Sequence, residues 1–183
     1  LLLAGCGFQE PTWYTYEEIN TKAPASSTMG KPSSASQPVS LIWTKPNGWS
    51  EEPGSSMRLA TFTIHQNETT GTCSLIILAG TAGGLEANVR RWIEQLNIEI
   101  PPADELETFL DRQQEFRSEG GFDGILIDLT ELGSQEPDTP SMLSAMISLD
   151  GSTLFVKLTG PSRLLKEEKD SFSKLCQSIR NKT

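Results

Sequence analysis

Between Leu41 and Thr183 apolar side chains recur with two periods, and each period marks a kind of element. Leu41-Ile42-Trp43 predicts a short strand, and Lys45-Pro46-Asn47-Gly48-Trp49 a turn after it. Met57–His65 alternates as a second strand, with Arg58, Ala60, Phe62 and Ile64 on one face and Met57, Leu59, Thr61, Thr63 and His65 on the other. Gln66–Gly71 is polar and turns the chain into Cys73–Leu78, the most apolar run so far and a central strand. After Gly80-Thr81-Ala82-Gly83-Gly84 the period becomes helical. Leu85, Val89, Trp92, Ile93 and Leu96 then form one stripe.

Pro101-Pro102 stops that helix. Asp104–Phe116 predicts a second one, with Leu106, Phe109 and Leu110 inward, ended by Gly120-Gly121. Ile125–Leu129 reads as a strand, Ser134–Pro140 as a loop and Met142–Leu149 as a strand. Asp150-Gly151 is a hairpin turn and Leu154–Leu158 its partner strand. Pro161 opens a last helix, capped by Thr159 or Ser162, whose inner face is Leu165, Phe172, Leu175, Cys176 and Ile179. Hairpin-linked strands with segregated helices predict an α+β fold: a mainly antiparallel sheet of about six strands flanked by helices.

The first forty residues follow neither period. Ala23–Ser40 is rich in Ser, Pro and Ala and poor in large side chains, so it cannot bury enough apolar area to offset its ordering entropy. An aromatic knot, Trp13-Tyr14-Thr15-Tyr16, interrupts the stretch of residues 7–40 and suits docking on the domain or a membrane interface. Leu1-Leu2-Leu3-Ala4-Gly5 has the apolar core and small residues of a signal-peptide end. Three parts are therefore expected: residues 1–5 as the remnant of a signal peptide, 6–40 as a tether, and 41–183 as one α+β domain.

Leu3-Ala4-Gly5-Cys6 resembles the bacterial lipobox. The resemblance implies a diacylglycerol on the Cys6 thiol and a further acyl chain on its amine after cleavage. One acyl chain holds a protein only marginally, whereas two or more give stable attachment. It also implies the bacterial cell envelope. Gly7 stands where some bacteria place an inner-membrane Asp, which favours the outer membrane over the inner. The run Gly83-Gly84-Leu85-Glu86-Ala87-Asn88-Val89-Arg90-Arg91-Trp92, with Trp49 and Met57-Arg58-Leu59-Ala60-Thr61-Phe62 before it, looks like a group of uncharacterised bacterial lipoproteins. Leu154–Pro161 with Phe172 and Ile179 is similar to their C-terminal strand and helix, and to that of the PsbP-like α/β/α sandwich. Neither resemblance implies an activity.

Charge narrows the partners. Fifteen basic and 24 acidic side chains give a formal charge of −9. That disfavours nucleic acid, whose phosphates an acidic surface repels, and adhesion to anionic lipid through surface charge. No stretch approaches the roughly 20 apolar residues of a spanning helix. Three cysteines and one histidine, His65, fall short of a structural zinc site, so no metal or cofactor is expected.

The candidate contacts are Gly83, Gly84, Asn88, Arg91 and Trp92. Backbone N–H groups at the start of the first long helix suit an anion. The turn is neither G-x-G-x-x-G nor a P-loop, and a plain glycine-permitted connection is the simpler reading. Arg91 lies off the apolar stripe, as a partner-facing charge or part of a solvated face. His65 lacks a nucleophile partner. The acid pairs Asp104/Glu105, Glu167/Glu168 and Asp123/Asp128 match no calcium loop. Cys73 and Cys176 both belong to core elements, as buried free thiols or as a bridge clipping the last helix to the sheet. The reading favoured is a non-catalytic binding or assembly module for envelope proteins. Its alternatives are an envelope hydrolase using a carboxylate pair and a small-ligand carrier with a groove beside Trp92.

Overall fold

The computed structural model describes residues 40–54 and 58–182. In chain order these give β1 (Leu41–Ile42), β2 (Trp49–Glu52), β3 (Arg58–Gln66), β4 (Thr69–Ala79), α1 (Leu85–Gln95) and α2 (Ala103–Asp111). They continue with β5 (Gln114–Arg117), β6 (Asp123–Asp128), β7 (Pro140–Leu149), β8 (Ser152–Pro161), α3 (Ser162–Gln177) and β9 (Arg180–Asn181). Cys6, the aromatic knot, the rest of the tether through residue 39, and Met57 lie outside the described residues.

Seven strands form one antiparallel sheet in the order β2-β3-β4-β8-β7-β6-β5. β1 and β9 pair separately. Alternation along β7 and β8 builds two cores. Leu143, Ala145, Ile147, Leu154, Val156 and Leu158 face one side, where α3 supplies Leu164, Leu165, Phe172 and Leu175. Met142 and Phe155 face the other, where α1 and α2 supply Val89, Trp92, Ile93, Leu106 and Phe109. Full burial of each such side chain stabilises by about 1.5–3 kcal/mol. The result is the expected α+β, α/β/α layering, with a larger sheet than the sequence suggested.

The differences have local causes. The helix read through Phe116 stops at Asp111. There Gln113 Nε2 donates to Phe109 O at 2.8 Å while its Oε1 accepts from the Asp128 N–H at 2.9 Å, turning the chain onto β6. Phe116 therefore belongs to a strand, across from Gly124. Gln66–Gly71 is mostly strand; the turn is confined to Asn67 and Glu68, with Asn67 at φ 53°. In β3 a bulge between Arg58 and Ala60 shifts the alternation. Ala60, Phe62 and Ile64 enter the α3-side core as expected, but Arg58 leaves their face and lies across from Ile76. Neither Thr159 nor Ser162 caps α3: Pro161 holds the cap position, and the Ser162 hydroxyl is buried without a protein partner.

Candidate functional site

β4 ends at Ala79, and the chain must reverse to lay α1 across the sheet. Gly80, Ala82, Gly83 and Gly84 take positive φ angles of 67°, 48°, 91° and 80°. Glycine at three of the four removes the Cβ penalty; Ala82 bears it. The turn is tied to the β7–β8 hairpin. Gly80 N–H donates to Gly151 O at 3.0 Å, and Thr153 Oγ donates to Gly80 O at 2.8 Å.

From one turn inside the helix, Asn88 locks the same segment. Its Nδ2 donates to Ala82 O at 2.8 Å and Gly84 O at 2.6 Å, and its Oδ1 accepts from Arg91 Nη1 at 3.0 Å. Asn88 is 2% exposed. Its amide is committed to the protein, where it holds the turn. Trp92 is engaged within the protein likewise. It is 2% exposed and packs edge-to-face on Phe155, with ring centroids 6.1 Å apart and planes at 84°. Gly83 and Arg91 are exposed and Gly84 half-buried. α1 has no side-chain cap at its first turn.

The turn walls one side of an open groove of about 630 Å³. Thr81, Gly84 and Leu85 form that wall. Ile125, Met146, Ser148 and Thr153 form the floor, on the helix-poor end of the α1 face of the sheet. Glu115, Arg117 and Asp123 form the far rim, where Arg117 and Asp123 pair at 2.7 Å in solvent. Of the five expected contact residues, Gly84 alone lines this groove. The far rim is not expected from the sequence, which reads β5 as helix. The signal was present in the polar–apolar–polar run Glu115-Phe116-Arg117, followed by Gly120-Gly121 and a second strand.

Other candidates fall apart geometrically. Asp123 and Asp128 occupy opposite faces of β6, as their five-residue separation requires. Asp123 rims the groove, whereas Asp128 lies toward α3, accepting from Thr130 N–H and Oγ and pairing with Lys169 Nζ at 2.6 Å. The hydrogen bond to Asp128 raises the Lys169 pKa, against burial that lowers it. His65 is exposed, its Nδ1 3.1 Å from Thr70 Oγ across the hairpin. Asp104 and Glu105 are exposed in the first turn of α2, and Glu168 accepts from Trp49 Nε1 at 2.9 Å. Among the described residues no cluster of three or more His, Cys, Asp or Glu is placed to hold a metal.

Cys73 and Cys176 are fully buried free thiols, so no bridge joins them here. Each packs as a small apolar side chain in the α3-side core. Burial pushes both thiols up, and for Cys73 the neighbouring Cys176 adds to the effect.

No protein-family model matches this chain, and no curated protein sequence matches it. Among solved structures it is similar to LpqN, involved in cell envelope biogenesis of Mycobacterium tuberculosis. That match has 16% identity and a TM-score of 0.46, covering 80% of this chain and 87% of that one. It is also similar to cyanobacterial PsbP (CyanoP) from Synechocystis sp. PCC 6803, at 16% identity and a TM-score of 0.44, covering 84% of this chain and 98% of that one.

Proposed function

We propose that this chain is a lipid-anchored protein of the bacterial cell envelope whose domain is a non-catalytic binding or assembly module, with the groove beside the glycine turn as its contact site. The anchor reading rests on Leu3-Ala4-Gly5-Cys6. Among the described residues no helix is long and apolar enough to cross a membrane. The groove carries the binding reading. Its floor offers Ile125 and Met146 to an apolar side chain, and Ser148 of the floor with Glu115 and Arg117 of the rim suits the polar backbone of an extended partner segment. Its two carboxylates stand on solvated strand residues, and Asp123 is held by Arg117, which suits recognition better than acid–base work.

A photo-crosslinking amino acid at Ser148, in cells carrying the full chain, tests the site. A discrete adduct is expected at Ser148 and none at Glu107, an exposed position on α2. Equal adducts at both positions, or none at Ser148, overturn the site. Mass spectrometry of membrane-extracted protein tests the anchor separately; an unmodified Cys6 thiol removes it without touching the groove.

A further inference from the structure

Independently of the groove, a cationic cluster stands on the other side of α1. α1 and α2 cover only part of their face of the sheet. The strip over β3, β4 and β8 carries hydroxyls and three cations drawn from three elements. Lys157 of β8 alternates with Val156 and Leu158 and so faces the α1 side. Its Nζ lies 5.8 Å from the centroid of the Trp92 ring. Ser74 is across from Lys157 on one side and from Thr61 on the other, which sets two half-buried hydroxyls in the same row. In the next row Ile76 lies between Arg58 and Phe155. The bulge in β3 thus turns Arg58 onto this face. Arg91 precedes Trp92 on α1 and is exposed, with its Nη1 donating to Asn88 Oδ1 at 3.0 Å.

The three cations act on one another. Burial lowers the Lys157 pKa most, and Arg91 and then Arg58 lower it further. Among the described residues none of the three has a carboxylate partner: the five ion pairs engage Arg90, Arg117, Arg163, Lys169 and Arg180. Glu52, on the neighbouring strand β2, accepts from Thr63 Oγ at 2.9 Å instead. A ring face offsets part of the cost of a desolvated ammonium, but it does nothing for two guanidinium groups brought toward that ammonium. In a chain of net charge −9, where acids outnumber bases, this strip carries three cations and one carboxylate at its edge, Glu52, across from Thr61. A bound anion would offset the repulsion felt by the half-buried Lys157 ammonium.

We propose that Arg58, Arg91 and Lys157 form a binding site for a phosphate group, with the Thr61 and Ser74 hydroxyls as further donors. Two guanidinium forks and an ammonium match a dianionic tetrahedral oxyanion better than a single carboxylate, since each fork can donate twice to it. The group could come from a soluble phosphorylated compound or from a lipid headgroup, and the experiment separates the two.

The full chain carrying Cys6→Ser, so that no acyl chain contributes, is titrated calorimetrically with inorganic phosphate. The same protein is sedimented with phosphatidylcholine vesicles made with and without phosphatidic acid. Saturable phosphate binding indicates a soluble source, and binding only to the phosphatidic-acid vesicles a headgroup. In either arm the double variant Arg58→Gln/Arg91→Gln weakens binding at least about tenfold. Arg163→Gln, which removes one such charge at an exposed pair on α3, leaves it unchanged. Lys157→Met keeps the stem on Trp92 and removes the charge, so its Tm rises while phosphate affinity falls. Absence of saturable binding in both arms overturns the site. So does undiminished affinity in the double variant, an equal loss in Arg163→Gln, or a lowered Tm in Lys157→Met.

Discussion

Replacing Asn88 by Asp sets two physical arguments against each other. Asn88 sits one turn into α1, where a negative charge gains from the helix dipole by about 0.3–1 kcal/mol. A dipole argument alone therefore predicts that Asn88→Asp stabilises. The hydrogen bonds predict the reverse. Nδ2 supplies both donors, to Ala82 O at 2.8 Å and Gly84 O at 2.6 Å. Gly84 O retains the helical bond from Asn88 N–H at 3.4 Å, but Ala82 O keeps no such bond. Removing both donors in Asn88→Ala costs about 2 kcal/mol, at about 1 kcal/mol net per bond. It also frees Ala82 to leave its φ of 48°. Asn88→Asp loses the same donors and turns an acceptor toward two carbonyls, at a site 2% exposed. Arg91, exposed, offsets only part of that, so the total is about 3 kcal/mol after the dipole gain. Urea unfolding at neutral pH, followed by far-ultraviolet circular dichroism, should rank wild type above Asn88→Ala and Asn88→Ala above Asn88→Asp. Wild-type stability or better in Asn88→Asp would refute the clamp and return Asn88 to the surface.

Three further outcomes are expected. Neither Cys73 nor Cys176 should react with a thiol-specific chromogenic reagent in the native protein at mildly alkaline pH, and both should react after unfolding in urea; rapid native labelling would contradict their burial. Gly120→Ala should lower stability by about 1–3 kcal/mol, as overpacking does. Its Cβ would stand 2.7 Å from Arg180 Cα and 3.0 Å from Ile179 O, backbone that cannot swing aside, and an unchanged Tm would count against that packing. Finally, the lowered Lys157 pKa makes stability rise with pH between the folded and unfolded pKa values of that lysine, because the unfolded chain then binds more protons. Lys169, raised by Asp128, contributes with the opposite sign: its stabilisation is full below the unfolded pKa and lost as pH climbs through the folded one. Subtracting urea midpoints of Lys157→Met from those of wild type across alkaline pH isolates the first effect, and a flat difference would contradict it.

Long periodic segments declared themselves in the sequence. The stripe from Leu85 to Leu96 and the inner face of α3 needed only helical spacing, and the β7–β8 hairpin only Asp150-Gly151 and its apolar flanks. Short elements did not. β2, β5 and β9 span four, four and two residues, too short to establish a period, and β9 pairs with β1 from the other end of the domain. The Arg58 face was misread for a different reason: a single bulge reverses the phase of alternation, and bulges leave no composition of their own. The glycine turn was legible as a turn, but what Asn88 and Trp92 do there depends on contacts. A polar residue inside an apolar stripe suggests a ligand or a buried hydrogen bond with equal force until the carbonyls it meets are placed. The groove floor, assembled from β6, β7 and β8, had no contiguous signature at all.

The clasp between β1 and β9 has a consequence for engineering. Leu41 pairs with Asn181 and Ile42 with Arg180, and Lys182 N–H donates to Ser40 O at 2.8 Å. The domain is entered and left at one spot, a single hydrogen bond apart. Spliced into a surface loop of a host protein, it should widen that loop hardly at all, and a short peptide joining its two ends should leave new termini free to be opened elsewhere on the sheet.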